Sequence, residues 1–124
     1  MINQIFLYIG STLTMIWGVA HLFPIKSVIN GFGDISIDNK RILTMEWIIE
    51  GIFLIFIGVL CAGLTFLDHL NIISKYVFFL SSAFLIVLTI VSLFTGFKVK
   101  FLPYKLCPVI FSISAILILI GIFL

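Results

Sequence analysis

Charge is the resource this sequence has least of. Asp and Glu number five and Lys and Arg seven among 124 residues, so 10% of the chain is charged, against about 25% in soluble domains. With 63% hydrophobic residues and a mean hydropathy of +1.39, a water-soluble fold would have too little polar surface to cover itself. The net charge of +2 is too small for a protein that neutralises phosphates, so no nucleic-acid partner is expected. Cysteine is also scarce. Cys61 and Cys107 form no C-x-x-C motif, which argues against disulfide-exchange chemistry. Their expected depths in a membrane differ by roughly 20 Å at ~1.5 Å per helical residue, beyond the ~7 Å Cα limit for a bridge, so two free thiols are expected. Met1 to Gln4 carries no Lys or Arg, and the apolar run that follows exceeds the roughly 7–15 residues of a secretory h-region, so this run is expected to stay as a helix. Glycine-rich phosphate loops, nucleophile motifs and ion-filter repeats are missing, which leaves conventional hydrolase and potassium-channel readings without support.

What the chain does contain is four long windows almost free of charge, at 5–23, 45–67, 76–97 and 106–124. Each is about the ~20 residues that an apolar helix needs to cross a ~30 Å hydrocarbon core. The expectation is an all-α integral membrane bundle of four transmembrane helices, forming one transmembrane domain over 1–124. Pro24 should stop the first helix and Pro108 is tolerable in the first turn of the fourth. Asp68-His69-Leu70-Asn71 is a short connection, which makes the second and third helices antiparallel neighbours and leaves His69 solvated in the turn. The longest connection, 24–44, mixes Ile25, Val28, Ile29 and Phe32 with Lys26, Asn30 and Asp34. Such a segment either lies among the lipid headgroups or forms a lid over the helix ends. Asp38 is a plausible N-cap for the second span.

Six of the seven basic residues, Lys26, Lys40, Arg41, Lys98, Lys100 and Lys105, fall in the first and third connections. The positive-inside rule therefore predicts a cytoplasmic face for those connections and outside termini, in a bacterial inner membrane. So strong a bias also separates the chain from dual-topology multidrug transporters, which carry a carboxylate in the first helix where this chain has none. Small residues recur at helical spacing, including Gly58 and Ala62, so a homo-oligomer in the lipid bilayer is expected.

Against this apolar background, Glu46 and Glu50 are costly to place. They share a face of the second span by their i,i+4 spacing, and His21 ends the first span at the same depth. Two carboxylates that close repel when both are ionised, so His21, a proton, a cation or a metal is expected to compensate. Thr14 and Trp17, one or two turns before His21, and Trp47 beside Glu46 are candidate supports. Each residue also has a plainer role: Glu46 as an interfacial carboxylate at a helix entry, Glu50 as the partner of Lys40, Arg41 or His21, and His21 as a satisfied helix-end histidine. No cofactor is expected. If a metal ion is held, His21, Glu46 and Glu50 are its ligands, a set that suits iron, manganese or zinc, although no E-x-x-H or H-E-x-x-H motif accompanies them.

Gly18-x-x-His21-Leu22 closing the first span, with Glu50-Gly51 early in the second, resembles the DoxX-like group of small four-helix bacterial membrane proteins. The resemblance implies the four-span layout and a link to membrane redox systems, for which this chain shows no recognisable cofactor ligands. The leading expectation is binding or translocation of a small ligand or proton at His21, Glu46 and Glu50. The alternatives are a redox or metal-dependent enzyme or accessory acting on a lipid-soluble substrate such as a quinone, and a structural subunit of a larger membrane complex.

Overall fold

The computed structural model describes all of residues 1–124 and contains helices and turns only. Four helices are long and apolar enough to span a membrane: α1 (Ile2–Leu22), α3 (Ile37–Asp68), α4 (Ile72–Phe94, extended by a 3₁₀ turn at Gly96–Lys98) and α5 (Leu102–Phe123). The protein is an all-α four-helix membrane bundle. A short helix, α2 (Ile25–Asn30), lies between the first two spans.

The second and fourth spans begin earlier than the sequence expectation, each for a local reason. The second span begins at Ile37, with Ser36 and not Asp38 as its cap: the Ser36 side chain accepts a hydrogen bond from the Asn39 amide at 3.2 Å. At 32 residues α3 is roughly 48 Å long at ~1.5 Å per residue, well over the ~30 Å hydrocarbon core, so its first turns carry Lys40 and Arg41 beyond the apolar layer. The fourth span begins at Leu102 with Pro103 in its first turn, which puts Pro108 in the helix interior. Pro108 has no N–H to give the Tyr104 carbonyl four residues back. Connection 24–44 is structured: α2, a turn with Gly33 at φ 72, and the start of α3.

Helix α1 packs extensively against both α3 and α5, and α4 packs against α5, while α3 and α4 meet over a shorter stretch that includes the Phe53 and Phe84 rings, 5.1 Å apart. Glycines set the closest approaches. A Cβ on Gly18 would lie 2.7 Å from the Gly51 carbonyl, and one on Gly58 would lie 2.7 Å from the Ser11 carbonyl, so the α1 and α3 backbones touch. Gly121 makes room on α5 for the Leu7 side chain of α1, which a Cβ would approach to 2.6 Å, with the Asn3 carbonyl at 3.0 Å. Without a hydrophobic drive between helices in lipid, such backbone contact is what holds a bundle of this kind.

The shared core includes Leu7, Leu54, Phe78, Leu85, Phe111 and Ile118, with Ser11, Ser82 and Ser114 buried among them. Ser11 and Thr14 donate to the carbonyls of Leu7 and Gly10 in their own helix, so neither needs a partner across the bundle. The Cys61 and Cys107 thiols are free, as expected. At the end carrying both termini, His69 is half-buried with Nδ1 3.2 Å from the Gln4 amide nitrogen, which corrects the expectation of a solvated turn residue. The opposite end, with Lys26, Lys40, Arg41, Lys98, Lys100 and Lys105, holds the candidate site.

Candidate functional site

His21 closes the last turn of α1 and is 4% exposed. Its Nδ1 lies 2.9 Å from the Trp17 carbonyl oxygen and its Nε2 lies 3.5 Å from Oε1 of Glu50 on α3. A carbonyl only accepts, so Nδ1 carries a hydrogen and donates it. That assignment constrains the other nitrogen. Nε2 either bears a second proton and faces an ionised carboxylate, or is a bare lone pair facing a protonated one. A neutral imidazole against an ionised Glu50 would set lone pair against lone pair unless a cation lay beside the carboxylate. A proton held between Nε2 and the carboxylate leaves the pair with no net charge in either arrangement.

Two aromatic contacts fix the imidazole. The Trp17 ring meets it edge-on with centroids 5.6 Å apart, and the Trp47 ring lies over it at 5.2 Å, tilted by 33°. Trp47 Nε1 donates to the His21 carbonyl, capping one of the acceptors that the end of α1 leaves open. The indole N–H of Trp17 is buried with no protein partner.

Of the residues expected to converge, His21 and Glu50 do, with Trp17 and Trp47 in support; Glu46 and Thr14 do not. Glu46 is exposed, forms no ion pair or hydrogen bond and lies outside the cavity described below. The cause is rotation. The buried stripe of α3 runs through Gly51, Leu54, Ile57, Gly58, Cys61 and Thr65; at about 100° per residue Glu50 lies about 50° from its centre and Glu46 about 90°. The i,i+4 spacing puts the two carboxylates near one another but does not turn both toward α1. Thr14 is buried and satisfied within α1. Glu50 has His21 as its partner and neither Lys40 nor Arg41, the latter lying 3.9 Å from Asp38 at the surface. With Glu46 turned away, no cluster of three His, Cys, Asp or Glu side chains suited to a metal is assembled, so the His-plus-two-carboxylate ligand set is not formed.

The pair opens on a cavity of about 790 Å³ at the basic end of the bundle, within the range of about 300–1,000 Å³ of small-molecule sites. Every helix contributes. Ser27, Val28, Gly31 and Phe32 of α2 and its following turn line one side of it. Trp47 and Glu50 of α3, Leu88, Val91, Ser92 and Thr95 of α4, and Tyr104 and Cys107 of α5 form its walls. Glu50 keeps 41% of its side chain exposed despite its contact with His21. Tyr104 meets Trp47 with centroids 5.4 Å apart and Phe101 at 6.0 Å, both steeply inclined, which joins the aromatic groups into one wall.

Sequence reasoning missed Phe32, Phe101, Tyr104 and Cys107. Phe32 follows α2, while Phe101, Tyr104 and Cys107 lie far along the chain from His21 and are brought to it by the packing of α5 against α1 and α4. The one available signal was the aromatic content of 97–104, Phe97, Phe101 and Tyr104, at a membrane boundary. No protein-family model, curated protein or solved structure matches the chain.

Proposed function

We propose that the protein binds or translocates a small ligand or proton at the His21–Glu50 pair. The observation that carries this reading is that the only carboxylate brought onto the α1 histidine faces a cavity of about 790 Å³ and keeps 41% of its side chain exposed. An intramembrane ionisable pair that served packing alone would gain nothing from an adjoining space of that size. In this reading Glu50 carries the proton or contacts the ligand, and His21 shares the proton. Trp47 positions His21, and α2 governs access. The basic end lies on the cytoplasmic side of a bacterial inner membrane with both termini outside, following the charge bias, and the chain works as a homo-oligomer. The likeness of Gly18-x-x-His21-Leu22 and Glu50-Gly51 to the DoxX-like group is compatible with the same site.

The two tryptophans of the chain both touch His21, so intrinsic fluorescence reports on the pair without a label. A saturable fluorescence change on titrating small solutes or protons into the purified protein, absent in Glu50→Gln, is expected. Identical responses in the two proteins would remove Glu50 from the mechanism.

A further inference from the structure

The chemistry of the cavity wall restricts what it can hold. No Lys or Arg lines it, although six basic residues lie at this end of the bundle. Three of its donors are spent elsewhere: Trp47 Nε1 on the His21 carbonyl, the Ser92 hydroxyl on the Leu88 carbonyl at 2.6 Å, and the Thr95 hydroxyl on the Val91 carbonyl at 2.6 Å. The two hydroxyl oxygens can then only accept. The remaining features are the Ser27 and Tyr104 hydroxyls, a carboxylate and the rings of Trp47, Phe101 and Tyr104, inclined at 70° and 63° to one another so that a guest meets faces as well as edges. Aromatic faces joined to one carboxylate in an apolar enclosure recognise cations whose charge is spread over a greasy surface. An anion would find no fixed positive group.

We propose that the cavity takes a hydrophobic organic cation of the quaternary ammonium or phosphonium class, in exchange for the proton that His21 and Glu50 share. This rests on the reading of the cavity as a ligand site. The exchange balances. The empty pair carries one proton and no net charge; when the cation settles beside Glu50, that proton leaves to solvent and the carboxylate neutralises the guest. The titratable groups facing the pair are Tyr104 and Cys107 of α5, while α2 and α4 present none.

The test uses tetraphenylphosphonium with two near-isosteres, anionic tetraphenylborate and neutral triphenylphosphine oxide. Each is titrated calorimetrically into the full chain in a non-ionic detergent, in buffers of different ionisation enthalpy. Expected are saturable binding of tetraphenylphosphonium alone, release of about one proton per cation, and affinity rising about tenfold per pH unit while the pair holds its proton. Glu50→Gln is expected to weaken binding by at least about tenfold. Tyr104→Leu, which leaves the pair in place, should weaken it by a smaller factor. A thermal melt shows whether each variant is folded, and the Tyr104 variant keeps the proposal testable if the Glu50 variant is not. Competition by dihexanoylphosphatidylcholine but not by free choline would identify the cation as a lipid headgroup; the reverse would identify a free solute. Triphenylphosphine oxide binding as tightly, with the same dependence on Glu50, would overturn the cation class and leave the cavity a ligand site. Tetraphenylphosphonium binding without proton release would overturn the exchange. Binding of no probe, with Cys107 alkylation unaffected by any of them, would overturn this proposal and the ligand-site reading together.

Discussion

His21 and Glu50 form a directed pair: Nε2 lies 3.5 Å from Oε1, and the opposite ring nitrogen is committed to the Trp17 carbonyl at 2.9 Å. Because Nδ1 is committed to that carbonyl, the pair gains or loses its proton between Nε2 and the carboxylate. A device of this kind couples charge in the cavity to protonation. The glycines at 18 and 51, by letting the backbones touch, bring its two halves together.

The first expectation separates the two carboxylates. Glu50→Gln should remain folded, since an amide can donate to the bare Nε2, yet lose the ligand or proton response. Glu46→Gln, with no partner to lose, should change the same response by no more than about twofold, as for surface substitutions generally. Parallel fluorescence titrations of the two variants decide it, and equal losses would return Glu46 to the site.

Backbone contact between α1 and α3 leads to a second expectation. Gly18→Val and Gly58→Val should destabilise the bundle by about 1–3 kcal/mol, as overpacking does, because a Cβ at either site meets backbone at 2.7 Å. Gly63, where a Cβ would meet nothing within 4 Å, is the control; its change to Ala should be neutral or stabilising by about 0.5–1 kcal/mol. Thermal melts in one detergent check the contrast.

The cysteines supply a third. Cys107 lines the cavity and is 8% exposed, whereas Cys61 is fully enclosed. A small membrane-permeant maleimide should modify Cys107 first, leaving Cys61 unmodified until the protein is denatured. Mass spectrometry of the alkylated chain reads the order, and equal rates would mean that the cavity is closed to small molecules.

How far these features were legible in the sequence depends on what each required. The four spans needed only composition, because long uncharged runs have few other stable homes. His21 and Glu50 were legible as expensive groups at a common depth. The separation of Glu46 was not, because helical spacing gives a face but not its rotation, and rotation here follows from where Gly18 and Gly58 admit the neighbouring backbone. Connection 24–44 was ambiguous since Val28 and Ile29 could as well have entered lipid as roofed a cavity, and both are buried. Tyr104 and Cys107 reach the site through packing alone.

Orientation gives a fourth expectation. In a chain with Cys61 and Cys107 changed to Ala, a cysteine replacing exposed Lys100 should be shielded from an impermeant maleimide added to intact cells. One replacing exposed Leu70 should react. The opposite pattern would place the basic end outside.

The most direct measurement of the central claim is the nitrogen NMR spectrum of the imidazoles in ¹⁵N-histidine-labelled protein, followed with pH. With two histidines in the chain, His21 is assigned by comparison with His69→Gln. The account predicts that Nδ1 of His21 is protonated throughout, and that Nε2 titrates in a step altered by Glu50→Gln but not by Glu46→Gln. A neutral His21 with its hydrogen on Nε2, or a titration indifferent to Glu50, would contradict it.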